Sequence, residues 1–154
     1  MRVNIHLASV KNRNSTYEAL LPEYKTEKAC GADIRTPYPF TLKAGDLHIV
    51  DTGLIIKAPR GYNIDINSRS GLAIKQGVIV QNAPGYIDGD YCGPEDRIRV
   101  ALRNVTDKDV KFERGDRIAQ LKVVPYVVAD WMVQPNADFA DSTSRGGLGS
   151  TGIA

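Results

Sequence analysis

The sequence predicts a single domain built mainly of β-strands, with one short helix. Three segments alternate apolar and polar residues with a period of two, which is typical of half-buried strands: 2–7, 62–67 and 97–103. Turn signals separate such segments at 44–46, 59–61 and 114–116. Helical signals are scarce, and the best candidate runs from Ser70 to Lys75, where a serine and a glycine precede apolar residues.

Length and composition are those of an ordinary globular domain, with 154 residues that are 42% hydrophobic and 25% charged. The net charge of +2 gives no support for a nucleic acid or a membrane as partner, although a local basic site for a small anion is compatible with it. Cys30 and Cys92 are the only cysteines, and no apolar run is long enough for a signal peptide or a membrane span. We therefore expect a cytoplasmic protein, in the host cytoplasm if the gene is viral. No Cys/His cluster has the spacing of a zinc site.

The stretch GYIDGDYCG surrounds Asp88 and Tyr91 with three glycines, Gly85, Gly89 and Gly93. Glycine permits a positive φ and also lets another backbone or a ligand approach closely. One interpretation is a hairpin whose main chain is a binding surface. The alternative is a plain tight hairpin with a solvated acid.

Three other stretches carry polar residues that suit an anionic ligand. In SRSGLA, Arg69 can bind phosphate oxygens, and Ser70 and Gly71 would open the helix at its anion-favouring end; the alternative is a surface arginine beside a capping serine. In RGDRIAQ, Gln120 lies within an apolar run and needs a polar partner, for which a ligand oxygen is one candidate. In CGADIRT, Asp33 could hold a metal-bound water or cap a turn.

The last ten residues, RGGLGSTGIA, are rich in glycine and offer little to bury. They predict either a frayed terminus or an arm that orders over a ligand. In the second case backbone N–H groups, together with Arg145, Ser150 and Thr151, would cradle phosphate.

In their order along the chain, GADIRT, SRSGLA, NAPGYIDGDYCG, GDRIAQ and RGGLGSTG resemble the five motifs of the trimeric dUTPase family. The resemblance spans roughly residues 30–152. It implies hydrolysis of dUTP to dUMP and pyrophosphate, which limits uracil incorporation into DNA and supplies dUMP for dTMP synthesis. It also implies a homotrimer of all-β, distorted jelly-roll (β-clip) subunits, each a single domain of residues 1–154 with a flexible arm at about 141–154.

The resemblance also implies roles for the residues of the third motif. Asp88 matches the acid that deprotonates the water attacking the α-phosphate. Tyr91 matches the tyrosine that packs on the deoxyribose and excludes a 2′-hydroxyl. Asn82 and the main chain of Tyr86 and Ile87 match the groups that recognise the uracil edge.

The remaining motifs match the groups around the triphosphate. Arg69, Ser70, Gly71 and Gln120 match phosphate contacts, and Asp33 matches the acid that reaches Mg²⁺ through water. The residues of the closing arm are Arg145, Gly149, Ser150 and Thr151. Each site would combine the first, second and fourth motifs of one subunit, the Asp88 hairpin of a second and the arm of a third.

The chain departs from the family pattern in two places. The stretch after Gly93 is about three residues longer, which leaves open which residue near Arg99 touches the base through its backbone. The fifth motif is shorter, and Leu148 replaces the phenylalanine that covers the uracil. Arg97 could lie on the uracil instead, with Leu148 behind it. The alternative is that Arg97 is exposed, or pairs with Glu95 or Asp96.

Two other functions suit the same fold. The related dCTP deaminases use a glutamate three residues before the asparagine that corresponds to Asn104, but this chain has Ala101 there, which cannot transfer a proton. A regulatory protein that binds a nucleotide without hydrolysing it is the other, and Asp88, Tyr91 and Arg145 argue against that loss of chemistry.

Overall fold

A computed structural model of the chain describes residues 4–9 and 17–133. Within these ranges eleven β-strands and one helix form the fold. In chain order they are β1 (His6–Ser9), β2 (Ala32–Arg35), β3 (Phe40–Leu42), β4 (Leu47–Asp51), β5 (Leu54–Lys57), β6 (Tyr62–Asn67), α1 (Ser70–Gln76), β7 (Val78–Val80), β8 (Gly85–Ile87), β9 (Arg99–Asn104), β10 (Val110–Phe112) and β11 (Arg117–Pro125).

The strands pair into four antiparallel sheets. The largest has the order β2-β11-β6-β8, and a three-stranded sheet has the order β4-β9-β7. Two smaller sheets pair β1 with β5 and β10 with β3. The long strand β11 joins β2 to β6, with an irregularity in its register against β2 between Arg117 and Ala119. The largest sheet therefore has β2 at one edge and β8 at the other.

The period-two pattern predicted strands correctly. The segment 62–67 is strand β6, whose Ile64 and Ile66 point into the core and are 1% and 3% exposed. The first predicted strand is β1, displaced toward the C-terminus, and the third is β9, which begins after the buried Ile98. The core unites side chains of most strands with one helical residue, Leu72.

Glycines end the helix and shape the predicted turns. The three turn predictions are confirmed, and Gly45, Gly61 and Gly115 have φ values of 71°, 87° and 96°, which other residues adopt only with strain. The predicted helix is also confirmed, and it ends at Gly77, whose left-handed φ of 61° lets its N–H reach the last carbonyls of the helix. In the described ranges, no helix has the length and apolarity that crossing a membrane requires.

Asn104 is a fully buried polar residue that ties two turns together. Its Nδ2 donates to the carbonyl oxygens of Leu42, Lys43 and Lys108 at 3.3, 3.1 and 2.7 Å. Its Oδ1 accepts from the backbone N–H and the hydroxyl of Thr106 at 3.0 and 2.8 Å. Because every polar atom of this amide is satisfied, its burial stabilises the fold.

We predict that Asn104→Ala lowers the free energy of unfolding by about 2–4 kcal/mol, because several buried groups lose their partner at once. Chemical denaturation at matched protein concentration measures the loss. Thr106→Val is the matched control: it removes only the hydroxyl of this network and should cost about 1 kcal/mol. Equal losses in the two variants would show that Asn104 does not organise the turns.

Candidate active site

A buried carboxylate joins three of the sequence motifs. Asp33, on β2, is 3% exposed. Its Oδ1 accepts from Arg69 Nε at 3.0 Å and, more weakly, from Gln120 Nε2 at 3.4 Å. Its Oδ2 accepts from a terminal nitrogen of Arg117 at 3.1 Å. The register of β2 with β11 places Gln120 directly opposite Asp33, which explains the polar residue in that apolar run.

The environment of Asp33 keeps it ionised. Burial raises the pKa of this carboxyl, but hydrogen bonds and positive charge from Arg117 and Arg69 outweigh burial and lower the pKa below its ordinary value. The carboxylate is therefore charged throughout the neutral range and holds both guanidinium groups in place.

Arg69 lies where the backbone turns from β6 into the helix. It is the N-cap residue, with an extended backbone, and one of its terminal nitrogens also donates to the Arg117 carbonyl oxygen at 3.1 Å. Ser70 and Gly71 begin the helix and are exposed, and no heavy atom lies within 4 Å of a Cβ built at Gly71. Contacts with Asp33 and the Arg117 carbonyl therefore fix Arg69, while the surface at Ser70 and Gly71 stays open to a ligand.

Two residues that organise this cluster were not predicted from the sequence. Arg117 is the second cation on Asp33, and Ser68 accepts from the Val80 N–H at 2.8 Å, which anchors the chain just before Arg69. Arg117 lies within the fourth motif, three residues before Gln120. Its place in that motif was the only feature of the sequence that could have indicated a role in the cluster.

The second half of the site is the hairpin that carries Asp88. Strand β8 pairs with β6, and Asp88 follows it directly as an exposed residue. Tyr86 is 67% exposed, and Asn82, which precedes the strand, is exposed as well. A groove of about 990 Å³ runs beside the hairpin, and Tyr86 and Asp88 both line it.

The glycines of this hairpin allow close approach. None of Gly85, Gly89 and Gly93 has a positive φ, so these glycines are not required by backbone conformation. A Cβ at Gly85 would instead lie 3.1 Å from Asn82 Nδ2, and one at Gly93 would lie 2.9 Å from Asp96 Oδ2. Side chains fold back onto the backbone at both positions.

The Asp33 cluster and the Asp88 hairpin lie apart within the chain. Asp33 is on β2 at one edge of the largest sheet, and Asp88 follows β8 at the opposite edge. Three strand spacings separate those edges, which is about 14 Å. A single chain therefore does not bring Asp88 onto the cluster of Asp33, Arg69 and Gln120.

In the stretch after Gly93, the Arg97 side chain binds two carboxylates of the same chain. Its Nε donates to Asp51 Oδ2 at 2.9 Å, and a terminal nitrogen donates to Glu95 Oε2 at 3.1 Å. The alternative in which Arg97 pairs with Glu95 is thus confirmed, and Asp51 is a further partner that the sequence did not reveal. Arg99 begins β9 as an exposed residue opposite Asp51.

The predicted residues of the C-terminal arm lie outside the described ranges. They are Arg145, Leu148, Gly149, Ser150 and Thr151.

Comparison with known proteins identifies the family of this chain. The family model described as dUTPase matches residues 17–152. A deoxyuridine 5'-triphosphate nucleotidohydrolase of Anaeromyxobacter sp. (strain Fw109-5) is 42% identical over 153 residues, which cover 99% of each chain. The protein of the same name from Rickettsia akari (strain Hartford) is 37% identical, over 98% of this chain and 100% of that relative.

Solved structures agree with the predicted all-β jelly roll. A dUTPase from Streptococcus mutans superposes with a TM-score of 0.70 at 29% identity, over 82% of this chain and 98% of that one. A mutant dUTPase of Staphylococcus bacteriophage 80alpha, solved with dUpNHpp, gives 0.79 at 21% identity, over 97% and 99% of the two chains, which is a likeness of fold. Because the family model spans most of the sequence and both relatives match over nearly their whole length, the chain belongs to the dUTPase family.

Proposed function

We propose that this protein hydrolyses dUTP to dUMP and pyrophosphate. The observation that carries the proposal is the cluster in which Asp33, Arg69 and Gln120 come together from three separate motifs. Arg69 offers a fixed guanidinium, with donors suited to phosphate oxygens, beside an open surface. The cluster would bind the triphosphate and stabilise the charge that develops on it.

Asp88 would act as the general base. It is exposed on the hairpin, so a water can reach its carboxylate. That water would lose a proton to Asp88 as its oxygen attacks the α-phosphorus, and pyrophosphate would leave with the electrons of the broken phosphorus–oxygen bond.

The edge strand β8 would recognise the base. Among the described strands it pairs with β6 alone, so its other side has backbone donors and acceptors available for a ligand. The main chain of Tyr86 and Ile87, with Asn82, would hydrogen-bond the uracil edge. Cytosine would leave those groups unpaired, which is a strong basis for rejection. Tyr91, which is 37% exposed, would lie against the deoxyribose.

Magnesium fits this site as an ion carried by the nucleotide. In the described part of the chain, no group of three or more His, Cys, Asp or Glu residues is arranged to hold a metal. Mg²⁺ on a triphosphate needs few protein ligands, because phosphates and waters supply most of them. Asp33, ionised but already hydrogen-bonded, suits contact with a metal-bound water rather than with the ion itself. When bound, the ion would neutralise phosphate charge.

A homotrimer would bring the separated halves together. Asp88 and the Asp33 cluster belong to opposite edges of one sheet, so a complete site needs the hairpin of another subunit. Exposed apolar side chains after β11 support such an assembly, since patches of this kind mark interfaces. They are Val127, Val128, Trp131, Met132 and Val133.

The deaminase alternative has no proton-transfer group where it needs one. Ala101 lies in β9 opposite Ile49, and its methyl group cannot act as acid or base.

The free thiols of Cys30 and Cys92 suit a reducing cytoplasm.

We predict that Asp88→Asn lowers kcat for dUTP by about 10²- to 10⁴-fold, because the amide cannot take the proton. Affinity for the non-hydrolysable analogue dUpNHpp should stay close to that of the parent. Asp90→Asn is the control, since it makes the same charge change two residues away in the same exposed hairpin. If Asp88→Asn hydrolyses dUTP at the rate of the control, Asp88 is not the general base.

We also predict that co-expressed Asp88→Asn and Arg69→Ala subunits form active trimers, although each variant alone is nearly inactive. Some mixed trimers would hold a site with both native residues, contributed by different subunits. Pyrophosphate release by the purified mixture measures the recovery. Arg69→Ala with Gln120→Ala is the matched control, because these residues come from one subunit and no mixture restores them together. No recovery in the first pair would contradict a shared site.

A further inference from the structure

The stretch that follows the Asp88 hairpin is anchored firmly in the core. Ile98 is fully buried, and its N–H donates to the Leu54 carbonyl oxygen at 2.7 Å. Its own carbonyl oxygen accepts from the N–H and the hydroxyl of Thr52, at 3.1 and 2.8 Å. The backbone that follows Arg97 is therefore fixed in the fold.

Arg97 is held a second time through its side chain, which is 12% exposed. Its contact with Asp51 joins it to the end of β4, and the other Asp51 oxygen accepts from the Gly53 N–H at 2.9 Å. A charge-assisted contact in a partly buried place resists rearrangement more than an exposed one does. Backbone and side chain together thus fix the position of the Arg97 peptide group.

The carbonyl oxygen of Arg97 accepts a hydrogen bond from the hydroxyl of Tyr91 at 3.3 Å. At its other end, Tyr91 is held by its backbone N–H, which donates to the Asp88 carbonyl oxygen at 3.1 Å. The hydroxyl end of the ring is therefore tied to Arg97, and the backbone of Tyr91 is tied to Asp88.

Residues 93–96 close this arrangement as a tight turn. The Gly93 N–H donates to Asp96 Oδ2 at 2.7 Å, and the Asp96 N–H donates to the Gly93 carbonyl oxygen at 3.1 Å. No Cβ fits at Gly93 without displacing the Asp96 carboxylate. These residues therefore form a defined turn, after which the Arg97 carbonyl lies beside the Tyr91 hydroxyl.

We propose that Arg97 is a positioning residue for sugar selectivity: anchored by Asp51, it fixes the carbonyl group that holds the Tyr91 ring in place. The inference rests on the proposed function, in which Tyr91 packs on the deoxyribose. A ring excludes a 2′-hydroxyl only when it cannot move aside. The contacts from Asp51 to Arg97 and from Arg97 to Tyr91 supply that restraint, and the turn at 93–96 connects Tyr91 to Arg97 along the sequence.

The test compares kcat/KM for dUTP with kcat/KM for UTP in Arg97→Ala, Asp51→Asn and Tyr91→Phe. Each change weakens the same restraint, so each should lower the dUTP/UTP ratio by about fivefold, the effect of one ordinary hydrogen bond. Arg97→Lys should recover most of the ratio, because an ammonium group can still pair with Asp51. Glu95→Gln is the matched control: Glu95 touches Arg97 from the exposed side, with 60% of its own side chain accessible, and its loss should leave the ratio unchanged.

The double variant Arg97→Ala/Tyr91→Phe separates positioning from general destabilisation. If both residues act through one hydrogen bond, the double variant has the ratio of either single variant. Multiplied effects would overturn the proposal, and so would an unchanged ratio in Asp51→Asn and Tyr91→Phe, which serve if Arg97→Ala does not fold. The parent protein tests the proposed function separately, since a parent that does not hydrolyse dUTP, or does not prefer it to UTP, defeats that function itself.

Discussion

The buried carboxylate of Asp33 is the constraint on which the arrangement of Arg69, Arg117 and Gln120 depends. A charge inside a protein is tolerated only with partners, and Asp33 has two guanidinium groups and an amide. Those partners come from the start of the helix and from β11. Removing any of them would leave the others misplaced or uncompensated, so the carboxylate holds distant segments in one arrangement.

The same carboxylate also specifies strand register. Asp33 faces Gln120 across β2 and β11, and Gln120 faces Asn67 across β11 and β6. A slip of one residue would turn each of these side chains to the other face of the sheet and expose the apolar residues between them. Core packing and the polar cluster therefore favour the same pairing, and sites assembled from far-apart segments benefit from that agreement.

Local features of the sequence predicted local structure well. The strand 62–67, the helix from Ser70 and the glycine turns follow from periodicity and from backbone preference, which act over a few residues. The ordered motifs also led to Arg69, Asp88 and Gln120. Partnerships across the fold were not predictable in this way. Asp51 with Arg97 and Asn104 with Leu42 join residues 46 and 62 positions apart, and no local pattern encodes which distant strand lies opposite.

Among the described strands β8 has one unpaired edge, and the length of that edge limits what can bind to it. An exposed strand edge usually invites another polypeptide to add to the sheet, and long edges of this kind lead to aggregation. Here the strand has only three residues, so it offers about 10 Å of backbone, which is too short for a stable added strand. The acids Asp88 and Asp90, just beyond it, disfavour further extension. The shortness of this strand thus leaves backbone groups available to a small molecule while it disfavours pairing between chains.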